Sequence, residues 1–470
     1  MLSFFITIPL IVLLVLNLPF RVTMKRIVFF SVFSLALLQT IVVSLAMIGV
    51  WDIHSIPVSP LLRFNITADK LSMLLLLCTG LVVSVTILVS RSFIQAGEAR
   101  FNFLNMLLIA LCGANGVALA GDLFSLYVFI EVASVSSFIL IVFNKDRDAF
   151  EGAFKYIILS AIATTMMLTS IGLIFLFTGD MSFTAISLAM DSSMHTMLIL
   201  LATGVFLCGL FIKAGLVPFH GWLADAYTAS CPPATVYLGG IATKALGIYT
   251  LIRVTVSVFG FDTPINKVFL FIGALSVVVG ALATLTQSDF KRMLAYSSIS
   301  QTGYIMLGLG CASGLGIAAA AFHFFNHAVF KSLLFVNSAA VEKEAGTRDM
   351  DRLTGLAQKM PVTGITSVLA GMSAAGLPPL AGFWSKLLII IALWKATHYN
   401  YSVVAVLASL LTLAYILLMQ RKVFFGTISD GLSHIKEAGW ELVLPQIVLA
   451  AIIVGVGLLF PFNLCRLIIP

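Results

Sequence analysis

The chain has 470 residues, 60 % of them hydrophobic and only 10 % charged, with a mean hydropathy of +1.10. A soluble domain carries roughly 25 % charged residues, and one core that stops growing near about 250 to 300 residues cannot hide this much apolar side chain. Lipid must be the solvent, which excludes soluble enzymes, nucleic-acid binders and secreted cysteine scaffolds.

The expected fold class is an all-α polytopic membrane protein. Apolar runs long enough to cross a hydrocarbon layer of about 30 Å predict helices over 1–20, 27–49, 70–90, 104–121, 122–143, 153–178, 196–217, 232–254, 268–287, 293–311, 314–339, 361–392, 401–420 and 443–463. The first begins at Met1 with no positive n-region and no cleavage site, so it reads as a retained helix. Loops after odd-numbered helices hold 17 of the 27 Lys and Arg residues and the opposite side holds 6, among them Arg63, Arg253 and Arg466. The positive-inside rule then puts the odd loops in the cytoplasm and both termini outside. The net charge of +7 resides in short loops that meet anionic lipid, and no nucleic-acid partner follows from it. The six cysteines, Cys465 included, are scattered without a CxxC or Cys/His ligand spacing, so no iron-sulfur, zinc or haem site is expected.

Four lysines remain inside predicted helices: Lys213, Lys244, Lys331 and Lys386. A charge at mid-bilayer costs about 2.5 to 3.5 kcal/mol on insertion scales, so a retained one faces protein or water and has a partner. Glu131 lies near the middle of the fifth predicted helix, either as a structural ion pair or as a carboxylate that carries or modulates a proton. Asp122 starts that helix, where its expected job is capping. Lys213 sits about one turn before Pro218, which should break the seventh helix, and such breaks mark ion sites in transporters. If the two helices touch, a Glu131–Lys213 pair gives a lysine whose proton affinity depends on its partner. His220 and Asp225 follow the break and either line an access route or act as interface caps.

Lys244 is placed halfway along the eighth helix, too deep to snorkel, and reads as a central relay. His323, His327 and Lys331 recur every four residues in AAAFHFFNHAVFKSLLF, which stacks them on one helix face over roughly 12 Å. Histidine is the natural proton carrier near neutral pH, and no third strong ligand accompanies the stripe to favour a metal. The segment 361–392 is too long for one straight crossing and contains Gly376-Leu377-Pro378-Pro379, so a second break is expected there. Lys386 follows it, either snorkelling from a shallow break or repeating the Lys213 arrangement. Helices seven and twelve are five apart, an odd offset, so the expectation is two inverted five-helix repeats. The corresponding divisions are three N-terminal helices (1–90), repeats over 104–254 and 268–420, and a last helix at 443–463.

Four stretches carry a family resemblance: Phe211 to Ala226 (FIKAGLVPFHGWLADA), Asp289 to Tyr304 (DFKRMLAYSSISQTGY), His323 to Lys331, and Gly376 to Phe383 (GLPPLAGF). In these the chain resembles the antiporter-like proton-pumping subunits of respiratory complex I, of membrane-bound hydrogenases and of multisubunit sodium/proton antiporters. The resemblance implies that Glu131 pairs with Lys213, that Lys244 is the central lysine, that His323, His327 and Lys331 connect two half-channels, and that Lys386 delivers the proton to the outlet. The family pattern HxWLPDAH is altered here, with Ala224 for proline and Tyr227 for the last histidine. The function implied is proton translocation in a redox-driven complex resembling NADH-quinone oxidoreductase or membrane-bound hydrogenase, or alternatively a sodium/proton antiporter without redox partners. No cofactor is expected in this chain; iron-sulfur and nickel-iron or flavin centres would belong to a redox arm. Expected partners are that arm, related antiporter-like membrane subunits, lipid, and protons or sodium, in a prokaryotic cytoplasmic (inner) membrane.

Overall fold

The computed structural model describes residues 3–18, 21–49, 66, 68–193, 197–261, 263–428 and 430–461; Arg63, Cys465 and Arg466 lie outside them. In chain order the helices are α1 (Phe4–Leu16), α2 (Arg21–Met47), α3 (Lys70–Phe93), α4 (Glu98–Leu119), α5 (Leu123–Ile141), α6 (Arg147–Thr178), α7 (Phe183–Ser193), α8 (Met197–Ala214) and α9 (Gly221–Ala229). Then come α10 (Pro232–Phe259), α11 (Thr263–Leu285), α12 (Phe290–Gly310), α13 (Gly314–Ala345), α14 (Pro361–Ala375), α15 (Ala381–Lys395), α16 (Tyr399–Val423) and α17 (Trp440–Leu459). Eleven of these are long and apolar enough to cross a membrane, so the chain is a multi-pass membrane protein, and thirteen of the fourteen predicted spans each fall on one helix. The short α7 and α9 were not anticipated, and the segment 361–392 is divided into α14 and α15 at its expected break.

Helix ends follow local chemistry. Asp122 opens α5 by accepting a bond from the Ser125 amide at 2.7 Å, the capping role read from the sequence. Asp146 does the same for Ala149 at 2.7 Å and Asp289 for Arg292 at 2.8 Å, each quenching an amide that the helix leaves unbonded. The two breaks share a design. After α8, Gly215 takes φ +65° and Val217-Pro218 is cis; after α14, Gly376 takes φ +83° and Pro378-Pro379 is cis. Glycine tolerates the left-handed turn, and the prolines cannot continue a helix.

The described residues group into two compact units. The first comprises Met1–Ile87, Ile94–Gly215 and Ile241–Thr263. Within it the α4 backbone at Gly113 lies against Ala133 of α5, and Gly247 of α10 lies against Ala214 of α8, so small residues let helices approach closely. The second comprises Leu88–Phe93, Leu216–Gly240 and Pro264–Pro470. Its centre is α12 and α13, in which residues 297–310 and 318–341 are all buried. Helices shielded from lipid on every side can hold polar groups, and these two hold Ser297, Ser298, Gln301, His323, Asn326, His327 and Lys331, each at most 3 % exposed. The exposed faces are apolar instead, as at Phe150, Phe154, Ile158 and Ile162 of α6.

Candidate functional site: two clusters of membrane-embedded ionisable groups

In the first unit, α8 carries Lys213 one residue before its end. Its ammonium lies 3.3 Å from Glu131 Oε1 and donates to Ser134 Oγ at 2.8 Å and Ser160 Oγ at 2.6 Å. Carboxylate and hydroxyls arrive from α5 and α6, so three helices converge on one charge. The two partners differ in access: the Lys213 side chain is 2 % exposed and that of Glu131 35 %. Lys244 is 1 % exposed on a π-helical turn, Lys244–Tyr249, with the Cys78 thiol of α3 as an electrostatic neighbour. Two more π-helical turns, Leu238–Ala242 and Thr255–Phe259, flank it. Such bulges cluster at functional sites. Because Gly247 lies against Ala214, Lys213 and Lys244 occupy packed neighbouring turns of α8 and α10.

One basic residue counted with the loops is part of this unit's interior. Arg253 is 3 % exposed and clamps Asp69 through Nη1 at 2.5 Å and Nη2 at 2.7 Å, while also bonding Ser72 Oγ and Tyr249 OH at 2.8 Å each. This fork ties the start of α3 to α10. Burial alone would raise the Asp69 carboxyl, but the Arg253 bonds and charge, with the Ser72 amide, hold it at about 2.

In the second unit the predicted stripe on α13 is continuous. The His323 and His327 rings are 6.3 Å apart and inclined by 16°, and both residues are 0 % exposed. His323 Nδ1 shares a hydrogen bond with Ser385 Oγ at 2.9 Å, and its Nε2 has no protein partner. Lys331 turns toward α12, donating to the Leu294 carbonyl at 3.0 Å and to Ser297 Oγ. Lys386, 3 % exposed, does not snorkel. Its ammonium sits 4.3 Å from the centre of the Tyr304 ring and has no hydrogen-bond partner, while Gly376 leaves room for its stem, since a Cβ there would come within 2.9 Å of Lys386 Cδ. Tyr304 is in turn fixed by bonds to the Ala405 carbonyl at 2.8 Å and Ser409 Oγ at 2.9 Å.

Among the residues after the first break, Asp225 pairs with Arg292 at 3.0 Å, His220 Nδ1 is buried without a partner, and Tyr227 OH donates to the Leu238 carbonyl at 2.9 Å. Lys291, also counted as a loop charge, is 2 % exposed. Among the described residues no group of three His, Cys, Asp or Glu could hold a metal ion.

Sequence reasoning missed Tyr304, Lys291 and Arg253. Tyr304 and Lys386 are 82 positions apart, and only folding brings the ring under the ammonium. The two basic residues lie near helix ends, where burial and snorkelling read alike in sequence.

The chain is similar to known membrane proteins over most of its length. Residues 120–412 match the family model described as NADH:quinone oxidoreductase/Mrp antiporter, transmembrane. The chain is 32 % identical over 349 residues to NADH-quinone oxidoreductase subunit N of Desulforudis audaxviator, covering 72 % of this chain and 70 % of that protein. It is 29 % identical over 399 residues to the D-type subunit of the Na(+)/H(+) antiporter of Alkalihalophilus pseudofirmus, covering 83 % and 80 %. A chain of the archaeal membrane-bound sulfane sulfur reductase, a respiratory membrane complex, superposes with a TM-score of 0.87 at 26 % identity over 99 % of this chain and 96 % of that one. The chain therefore belongs to the NADH:quinone oxidoreductase/Mrp antiporter family of membrane subunits.

Proposed function

We propose that this chain is the proton-translocating subunit of a redox-driven complex in a prokaryotic cytoplasmic membrane. The observation that carries the reading is Lys213: a buried ammonium at the end of a broken helix, shared by Glu131, Ser134 and Ser160. A purely structural ion pair is weak evidence for stability, because desolvation offsets its Coulombic gain, whereas a charge whose occupancy changes needs this setting. The Glu131 side chain is partly exposed, which fits contact with a neighbouring membrane subunit. Through that contact a redox-linked change next door reaches Lys213. In this reading the first unit passes a proton between Lys213 and Lys244, the second carries it along Lys331, His327 and His323 to Lys386, and the two broken helices belong to inverted repeats. Both termini lie outside. Iron-sulfur, nickel-iron or flavin centres belong to a redox arm, and this chain supplies charge movement without bond chemistry.

The similarity to an antiporter protein over 80 % of its length supports a second reading, sodium/proton exchange without redox partners. Purifying the intact complex and identifying its cofactors separates the two. Redox centres in co-purified subunits, with proton movement that follows electron flow, are expected. Cofactor-free partners and transport that follows a sodium gradient would replace this reading with the antiporter one.

A further inference from the structure

Lys291 is the second residue of α12 and is buried with its ammonium on the Ser230 carbonyl at 2.5 Å. Nothing in the relay above uses it. The charged and titratable groups that act on it are Glu342 from the last turn of α13, Arg348 and Asp289 from the adjoining loops, and the Cys231 thiol. Arg348 is engaged elsewhere, 3.3 Å from Asp289 Oδ2 and donating to the Thr228 carbonyl at 2.8 Å. Asp225 and Arg292 pair with each other at 3.0 Å. Glu342 stays uncommitted: it is partly exposed, yet its Oε2 is buried without a hydrogen-bond partner.

Past Lys331 the same face of α13 carries the buried Leu334 and Phe335 and turns polar again at Ser338 and Glu342. Glu342 is eleven residues from Lys331, three turns and about 16 Å along the same face. One turn inside Glu342, the Ser338 hydroxyl is buried without a partner, and so is the amide nitrogen of Asn337. On α12, Lys331 already bonds Leu294 and Ser297, one and two turns inside Lys291. Uncompensated buried polar atoms in a row are costly, and water bridging them removes that cost. The row has a titratable group reaching solvent at one end and Lys331 at the other.

We propose that Glu342 and Lys291 form a proton-exchange port at the loop end of α12 and α13, connecting Lys331 by water to the side on which the basic loops lie. The port deepens the translocation reading and rests on it. Glu342 exchanges the proton with solvent, and the Lys291 amine takes it up and releases it inside.

The test uses the full chain in its intact complex, in sealed vesicles of native membrane. Glu342→Gln keeps shape and removes the acid. Lys291→Arg keeps both the charge and the bond to Ser230 but does not release its proton. Each should lower proton translocation on the order of a hundredfold with the complex assembled. Wild-type rates from either variant overturn the port. If Lys213→Ala stops translocation while these two do not, the port alone falls; if all three translocate normally, the translocation reading falls with it. Assembly is bypassed by a second measurement on Ser338→Cys in a chain whose six native cysteines are replaced by alanine. A membrane-impermeant thiol reagent should label Cys at 338 from the basic-loop side, and a thiol that stays unlabelled from that side overturns the port.

Discussion

Lys213 and Lys386 stand beside two helix breaks of the same design, a glycine in the left-handed region followed by a cis proline, and their surroundings differ. Lys213 has a carboxylate at 3.3 Å and two hydroxyls. Lys386 has no hydrogen-bond partner among the described residues, and the face of Tyr304 at 4.3 Å is its compensation. A carboxylate that is itself 35 % exposed can be moved or neutralised from outside, so the charge on Lys213 is open to a neighbour's influence. An aromatic quadrupole does not titrate. The charge on Lys386 then depends on what reaches it within its own unit, through His323, which it influences electrostatically, and through water. In the relay proposed above, one lysine receives a signal and the other discharges a proton.

Removing the receiving side breaks this contrast most completely. Lys213→Ala or Lys244→Ala is expected to abolish ion-coupled activity, measured as proton movement in vesicles, while leaving the complex assembled; normal pumping by both would end the relay assignment. Glu131→Gln should retain part of the rate and change its pH profile, because the lysine keeps Ser134 and Ser160; an unaltered profile would show that the carboxylate does not tune it. At the discharging side, a desolvated cation–π contact is worth about 2 kcal/mol, so Tyr304→Leu should cost roughly thirtyfold in translocation. Tyr304→Phe loses the bonds to Ala405 and Ser409 but keeps the ring, and should stay within about threefold. Equal losses from both would assign Tyr304 to the hydroxyl and not the ring. A smaller effect is expected from Gly376→Ala, which forces an L-residue into φ +83° and presses on the Lys386 stem. It should lower translocation several-fold, about 1 kcal/mol, and full activity would show that the stem has another resting place.

Most of the fold was legible because lipid demands long apolar segments and each break announces itself by glycine and proline. Lys213, Lys244, Lys331 and Lys386 were legible for the complementary reason: a charge deep in such a segment has few uses. What escaped notice depends on three-dimensional packing. Lys291 and Arg253 sit where the sequence permits a loop, and only the neighbours Ser230 and Asp69 show that they turn inward. The π-helical turns around Lys244 insert a residue into the helical period without changing composition, so the apolar pattern there reads as ordinary helix. Glu131 was read as a mid-membrane charge, and its partial exposure became visible only once α5, α6 and α8 were packed.

The Asp69–Arg253 pair sharpens the contrast between tuned and fixed charges from the other direction, because a guanidinium holds its proton throughout. Its carboxylate therefore acts as a clamp, and its pH response should appear in stability and not in transport. The sign follows from the carboxyl being held at about 2 against an ordinary 3.8. The unfolded chain binds the proton first as pH falls, so the clamp contributes in full above about pH 4 and is lost on acidification toward pH 2. With the Asp69 side chain 51 % exposed, solvent screening reduces the contribution to about 1 kcal/mol. Thermal unfolding of the purified complex between pH 5 and 2 should show this loss, and Asp69→Asn should remove that part of the pH dependence while leaving the pH profile of translocation near neutrality unchanged. A displaced transport profile in Asp69→Asn would mean that this pair, too, is tuned, and that the division between clamping and signalling carboxylates does not hold in the first unit.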